Sequence, residues 1–180
     1  MKKLILVLLL SLAPYATCFG GQFSAEGITL AVPKGFEGPL SQSMGRTVVY
    51  GFTKPTSTPQ FRTLLQLSAY DLGKTIPKLP KEEMLAGSDK YLLEFIKGVE
   101  RRRTGFVQSK IVHISLGGVP ASKISWNGSL EGLKANGVMY CVIVGSKVIS
   151  LHTQDAGNEI TPNMLEAMRC IESLLLTHKN

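Results

Sequence analysis

The chain has 180 residues, a formal net charge of +7 and a hydrophobic fraction of 44%. That size is typical of one domain that buries its own core without a disulfide framework. The basic excess, 20 Lys and Arg against 13 Asp and Glu, is moderate and not interleaved with aromatic residues, which argues against a nucleic-acid-binding domain.

The first 18 residues have the pattern of a secretory signal peptide. Lys2 and Lys3 precede an apolar run over 4–12, and small residues follow it. The run is too short for a spanning helix, so we expect no membrane span after cleavage near 18–20. Export predicts a periplasmic or secreted protein, away from cytoplasmic ATP, NAD(P)H and most nucleic acid.

The three cysteines leave two alternatives open. Cys18 follows the apolar run at about the distance of a bacterial lipoprotein cysteine, although the residues before it depart from a lipobox. Cys141 and Cys170 are candidates for a disulfide, which would add roughly 3–4 kcal/mol in the chain-entropy model. They are equally candidates for small buried hydrophobic residues. No cysteine or histidine spacing resembles a zinc site, and we expect no cofactor.

The first half of the mature chain predicts three strands and one helix. Residues 28–32, 47–53 and 63–70 are rich in β-branched and aromatic residues and are bounded by turn residues. Apolar residues recur at helical spacing over 82–103, which predicts an amphipathic helix. The cluster Arg101-Arg102-Arg103 is interpreted as the end of that helix, where cations complement the dipole, rather than as an anion-binding patch.

The second half predicts four antiparallel strands and a closing helix over 161–177. Gly-Gly, Asn-Gly and Gly-Ser dipeptides supply the turns, at Gly117-Gly118, Asn127-Gly128 and Gly145-Ser146. The segment VMYCVIV is almost entirely apolar, which indicates a central strand covered on both faces. The predicted strands are 106–116, 120–127, 137–144 and 147–153.

Several local phrases resemble Mog1/PsbP-like domains, including DcrB-type bacterial envelope proteins. They are ITLAVPKGF at 28–36, GVPA at 118–121 and IESL at 171–174. The resemblance implies an α+β fold, an antiparallel sheet of about six to seven strands flanked by helices as an α/β/α sandwich. Its element order would be βββ-α-ββββ-α in a single domain over 23–178. It also implies a binding or assembly factor and carries no catalytic residue across.

Two sets of residues are candidates for function. His113, His152 and Asp155 would make a metal or general-base site only if the fold brings them together. Trp126, Tyr140 and Phe106 would form a binding surface if they lie on an outer sheet face, or core if they face a helix.

The favoured hypothesis is therefore an exported, non-enzymatic periplasmic module that binds or assembles another envelope protein. The alternative is a small secreted hydrolase or metal-dependent enzyme whose site forms only in three dimensions. A third hypothesis is a lipid-tethered envelope protein anchored at Cys18.

Overall fold

The computed structural model describes residues 19–57, 61–74 and 79–177. The predicted signal peptide and Cys18 lie outside these residues, and the predicted cleavage position lies at their boundary. Cleavage near 18–20 and acylation of Cys18 therefore stay predictions. In chain order the described elements are β1 (Phe19–Ala25), β2 (Ile28–Pro33), β3 (Glu37–Met44), β4 (Thr47–Pro55), β5 (Arg62–Asp71), α1 (Lys81–Glu100), β6 (Thr104–Gln108), β7 (Val112–Leu116), β8 (Val119–Leu130), β9 (Leu133–Val144), β10 (Lys147–Ala156), α2 (Pro162–Glu172) and β11 (Leu175–Leu176).

The strands form two antiparallel sheets. The main sheet has eight strands in the order β3-β4-β5-β10-β9-β8-β6, with β7 also pairing with β8, and a small sheet has the order β1-β2-β11. The predicted α+β class, an antiparallel sheet flanked by helices, is confirmed. The main sheet has more strands than predicted, because β3 forms where the sequence shows little periodicity and because the single strand predicted over 106–116 is divided into β6 and β7. The strand predicted over 28–32 lies in the small sheet as β2.

Helices pack on both faces of the main sheet and define two hydrophobic clusters. On one face, α2 and strand β2 pack against apolar residues of β5, β9 and β10. On the other face, α1 packs against apolar residues of β8 and β9. Strand β9 is buried along most of its length, as the VMYCVIV pattern predicted.

The two helices end earlier than predicted, for identifiable reasons. Helix α1 ends at Glu100 because the chain turns into β6 from Thr104, with Gly105 at φ +61°. Helix α2 begins after Thr161, whose hydroxyl accepts a hydrogen bond from the amide of Met164. It ends at Glu172 because β11 then pairs with β2.

The predicted turn at Asn127-Gly128 is wrong. Strand β8 runs through both residues, and the β8–β9 turn lies at Glu131 and Gly132, with φ of 51° and 81°. A Cβ on Gly128 would lie 3.3 Å from Cβ of Arg103. Glycine is therefore used there for the close approach of the chain leading into β6, not for a turn.

A disulfide between Cys141 and Cys170 is excluded by the sheet itself. Both thiols are free and buried, but Cys141 belongs to the cluster under α1 and Cys170 to the cluster under α2. The main sheet lies between them. Burial raises the pKa of each thiol to about 12, with the charge of Asp89 contributing at Cys141, so both behave as small hydrophobic residues.

Candidate functional site

The side of the main sheet that faces α1 is covered over only part of its width. Helix α1 packs against β8 and β9 and less extensively against β10. Residues directly opposite each other on antiparallel strands share a face. The pairing registers therefore define two rows of four residues on the α1 side of β3, β4, β5 and β10. We call these rows the open face; they are Leu40, Gly51, Gln66 and His152, and Gln42, Val49, Ser68 and Ser150.

A groove of about 690 Å³ lies where the open face meets the C-terminal half of α1. Phe95 and Val99 of the helix give it an apolar wall, and Arg102 and Arg103 extend that wall with positive charge. On the sheet side, apolar Leu64, Leu130 and Met139 line the groove together with a larger polar set, which consists of Gln66, Ser68, Ser150, His152 and Gln154.

Trp126 supports the inner end of the groove. Cζ of Arg103 lies 4.2 Å from the centroid of the indole ring, a cation–π contact. The ring of His152 lies 5.8 Å from the same indole, and Phe106 stacks on it with centroids 6.0 Å apart. Gly137 lies opposite Trp126 on the next strand, and the absence of a side chain there makes room for the indole.

Within the described residues, two groups that line the groove have buried nitrogen atoms without hydrogen-bond partners. They are Nε of Arg103 and Nε2 of His152. The other nitrogens of the Arg103 guanidinium are engaged, because Nη1 donates to the Val99 carbonyl at 2.8 Å and Nη2 donates to Oε1 of Gln154. Buried polar groups normally find partners, so unpartnered atoms beside a groove call for an explanation.

The electrostatics of the groove follow from burial. Burial lowers the pKa of Arg103, and the neighbouring charge of Arg102 lowers it further. Burial also lowers the pKa of His152 to about 3, with a further contribution from the charge of Arg103. His152 is therefore neutral at physiological pH, and the positive charge of the groove belongs to the two arginines.

The open face ends at an exposed edge strand. All eight residues of β3 are exposed, and nothing pairs with its outer edge within the described sheet. Leu40 is 80% exposed and Met44 is 55% exposed. Glu37 forms an ion pair with Arg62, but residues 40–44 carry no charge. Natural edge strands are usually protected by charges, proline or irregular pairing, and only the first half of β3 has such protection.

The structure does not bring His113, His152 and Asp155 together. His113 is on β7, with its Nε2 3.0 Å from a carboxylate oxygen of Asp89 on α1. His152 faces α1, whereas buried Asp155 accepts a hydrogen bond from Thr63 on β5 at 2.7 Å and another from Thr161 at the start of α2. The metal or general-base site sketched from these residues is therefore wrong. The described residues hold no cluster of three or more His, Cys, Asp or Glu suited to a metal ion.

Trp126, Tyr140 and Phe106 do not form a surface. Trp126 and Tyr140 are 2% and 0% exposed, and half-buried Phe106 packs beside Trp126. The binding-surface interpretation fails for the first two because α1 covers Trp126, whereas Tyr140 lies in the cluster under α2. These residues act as core and as support for the groove.

The buried hydroxyl of Tyr140, on the side of the main sheet that α2 covers, has its hydrogen-bond partner inside the protein. It donates to Oε1 of Glu172 at 2.9 Å, and Lys123 forms an ion pair with the same carboxylate at 2.8 Å. Burial and the carboxylate raise the pKa of Tyr140. Burial alone would raise the pKa of Glu172, but the hydrogen bonds and the charge of Lys123 outweigh it and lower that pKa. The partners of the Tyr140 hydroxyl and of the Glu172 carboxylate are therefore both side chains of this protein.

Apart from His152 and the arginines, the polar residues of the groove were not identified from sequence, although a signal for them exists. Strand β5 alternates buried Leu65, Leu67 and Ala69 with less buried Leu64, Gln66 and Ser68. Polar residues also recur at every second position in β10, at Ser150, His152 and Gln154. Two such polar faces predict an uncovered sheet surface once the two strands are known to be neighbours.

Comparisons with known proteins identify the fold. No family model matches the sequence, and no curated protein matches it significantly. Among solved structures, LpqN of Mycobacterium tuberculosis, described as involved in cell envelope biogenesis, is 18% identical with a TM-score of 0.58, over 84% of this chain and 83% of LpqN. The cyanobacterial PsbP protein CyanoP of Synechocystis is 9% identical with a TM-score of 0.55, over 93% of this chain and 98% of CyanoP. The Mog1/PsbP-like fold expected from the local phrases is confirmed.

Neither helix of the described residues combines the length and the apolar character that crossing a bilayer requires.

Proposed function

We propose that this protein is an exported, non-enzymatic binding or assembly module of the bacterial envelope that acts on another envelope protein. The observation that carries the proposal is the open face together with strand β3, whose outer edge is exposed and has no partner strand in the described sheet. An extended segment of the partner would add to the main sheet beside β3.

Strand addition follows from the chemistry of the edge. An unpaired strand presents backbone N–H and C=O groups in a row, and a partner strand satisfies them with main-chain hydrogen bonds. Regular pairing of β3 with β4 covers residues 40–44, whereas the register shift is confined to the stretch between Glu37 and Leu40. The uncharged half of β3 is thus the half with regular strand geometry. Exposed Leu40 on the open face and exposed Met44, four residues further along the same side of β3, provide apolar contacts for alternate side chains of the partner.

The opposite edge of the main sheet is a poorer template. Two strands of five residues each, β6 and β7, form that edge, and the pairing of β6 with β8 shifts register between Thr104 and Val107. Short and irregular edges resist the addition of another strand. The difference between the two edges supports β3 as the docking strand and supplies a control surface.

Two further observations support an envelope role. The signal-peptide pattern over 1–18 predicts export, and the structurally similar LpqN is described as involved in cell envelope biogenesis. Loss of the His113, His152 and Asp155 site removes the specific residues on which the enzyme alternative depended. The shared fold alone does not fix function, so the proposal is tested on β3 itself.

The test is a cross-linked pull-down from intact envelopes with the tagged full chain, followed by mass spectrometry. A double variant, Leu40→Lys with Met44→Lys, puts two charges on the exposed edge strand and leaves the core untouched. Val112→Lys is the matched control, because Val112 is similarly exposed, at 55%, on β7 at the other side of the sheet. We expect one envelope protein to be recovered by the wild type and by Val112→Lys, and at least tenfold less by the double variant.

Two results would overturn the proposal. One is recovery of no envelope protein above background by the wild type. The other is equal recovery of the same protein by the wild type and the double variant, since that partner would not use β3.

The form of the protein in the envelope is a separate question with a direct answer. Mass spectrometry of the mature N-terminus distinguishes a chain cleaved near 18–20 from one acylated at Cys18. If the protein is free in the periplasm, we expect a chain cleaved near 18–20 without acylation. An acylated Cys18 would instead show that the protein is tethered to a membrane.

A further inference from the structure

The groove beside the open face contains positive charge that the described residues do not neutralise. Arg102 and Arg103 both line it, and neither takes part in an ion pair within the described part of the chain. Glu131 is the acidic residue among those that line it. Arg62, by contrast, forms an ion pair with Glu37. A half-buried arginine without a counter-ion is costly, because burial removes water that would otherwise solvate the charge.

The end of helix α1 explains only part of this arrangement. Arginines at this position are expected to close the helix, and the hydrogen bond from Nη1 of Arg103 to the Val99 carbonyl fits that role. Nε of Arg103 has no partner in the described residues, although it is buried. A guanidinium N–H is always a donor, so what this group lacks is an acceptor.

The remaining lining of the groove is rich in groups that can donate hydrogen bonds. The hydroxyls of Ser68 and Ser150 and the amide of Gln66 lie on the sheet side. His152 is 7% exposed, and its unpartnered Nε2 belongs to a neutral ring that can place its proton on either nitrogen. The apolar wall formed by Phe95 and Val99 stands opposite these polar groups.

We propose that this groove binds the phosphate group of a larger ligand, with Arg102 and Arg103 as the charged donors. Phosphate offers several acceptor oxygens, and arginine binds them with a planar fork of N–H groups. The groove, at about 690 Å³, is much larger than a phosphate, so the rest of the ligand lies along the apolar wall. A soluble phosphate ester and a phospholipid headgroup share this chemistry.

The chain carries its own reporter for the test. Trp126 is the single tryptophan, and it contacts both Arg103 and His152. Tryptophan fluorescence of the full mature chain is titrated with inorganic phosphate, with chloride at matched ionic strength as the blank. A second arm uses vesicles of phosphatidylglycerol, with neutral phosphatidylcholine vesicles as their blank.

Arg102→Gln is the test variant and Arg101→Gln is its matched control. Both arginines are exposed at the end of α1, and both changes remove one positive charge, but Arg102 lines the groove and Arg101 is not among the lining residues. We expect a saturable change in the wild type, a dissociation constant raised about tenfold by Arg102→Gln, and a change of less than about twofold with Arg101→Gln.

The possible outcomes distinguish a soluble phosphate compound from a lipid headgroup, and they also include results that would contradict the inference. A response to inorganic phosphate assigns a soluble phosphate compound, and a response to anionic vesicles alone assigns a lipid headgroup. No saturable response in either arm, or equal loss in the two variants, would overturn the inference. The Leu40→Lys, Met44→Lys variant should bind phosphate normally, so a failure here is distinguishable from a failure of the proposed protein partner at β3.

Discussion

The two faces of the main sheet use the same strands for different purposes. The face under α2 is apolar, and buried polar groups such as Tyr140 and Asp155 have partners inside the protein, although the buried hydroxyl of Thr153 on the same face has none among the described residues. The face under α1 is closed only over β8 and β9, and beyond them it is polar and partly exposed. Unpartnered buried atoms of Arg103 and His152 occur at the boundary of that open region. Both faces contribute a hydrophobic cluster, but only the α1 side leaves part of the sheet uncovered and available for binding.

We expect the largest difference in the free energy of unfolding between substitutions at two adjacent residues of β5 that face opposite sides of the sheet. Leu67 is buried under α2, and Ser68 lies on the open face. Leu67→Ala should lower the free energy of unfolding by about 3 kcal/mol, because it removes buried methyl groups and leaves a cavity. Ser68→Ala should cost less than about 1 kcal/mol, since it removes one neutral hydrogen bond. Urea unfolding at constant pH measures both, and equal losses would contradict the contrast between the faces.

The next effect concerns the support of the groove by Trp126. A Cβ on Gly137 would lie 2.4 Å from Cζ2 of Trp126, so Gly137→Ala should destabilise the fold by about 2 kcal/mol through overpacking. Thermal and urea unfolding measure the change.

Gly98 on α1 provides the control for that substitution. A Cβ there meets nothing within 4 Å, and Gly98→Ala should stabilise the exposed helix by about 0.5–1 kcal/mol. If Gly137→Ala were as harmless as Gly98→Ala, the indole would not be packed against β9 as described.

The third effect is a pH dependence that arises from His152 on the open face. His152 has a pKa of about 3 in the folded chain, whereas an unfolded histidine titrates near about 6.5. Between these values the unfolded chain binds one more proton, so this contribution to stability is complete above about pH 6.5 and is lost as the pH falls. The expected loss is about 1.4 kcal/mol per pH unit between about pH 6 and 4.

A variant isolates this contribution from the general effect of acid. His152→Gln should remove the additional pH slope, whereas His113→Gln, at a half-exposed site on β7, should leave the slope from His152 in place. Urea unfolding at several pH values gives the difference between the variants. An identical slope in wild type and His152→Gln would show that His152 is not held neutral by burial.

The sequence was sufficient to predict the elements that bury strong apolar patterns. Strands β4, β5, β9 and β10 and both helices were predicted, with errors at their ends, because β-branched runs and helical periodicity report burial directly. Strands β1 and β3 were missed. Their sequences, FGGQFSA and EGPLSQSM, have glycine, proline and serine and little alternation, so their conformation comes from pairing with a neighbour rather than from intrinsic preference.

The candidate site was less accessible to sequence analysis because it depends on long-range pairing. Gln66 of β5 lies opposite His152 of β10, and no local pattern shows that these strands are neighbours. Arg103 was correctly associated with the helix end, but its contact with Trp126 requires the crossing of α1 over β8. The two alternatives for Cys141 and Cys170, a disulfide or two buried thiols, stayed open for the same reason, since periodicity did not show that they face opposite sides.

The central claim is that the open side of the main sheet, ending at β3, is the binding side. Hydrogen–deuterium exchange of the mature chain with and without its captured envelope partner tests it directly. The account predicts slower exchange over 37–55 in the complex and unchanged exchange in α2 and β2. Protection of α2 and β2, with no change in β3, would contradict it.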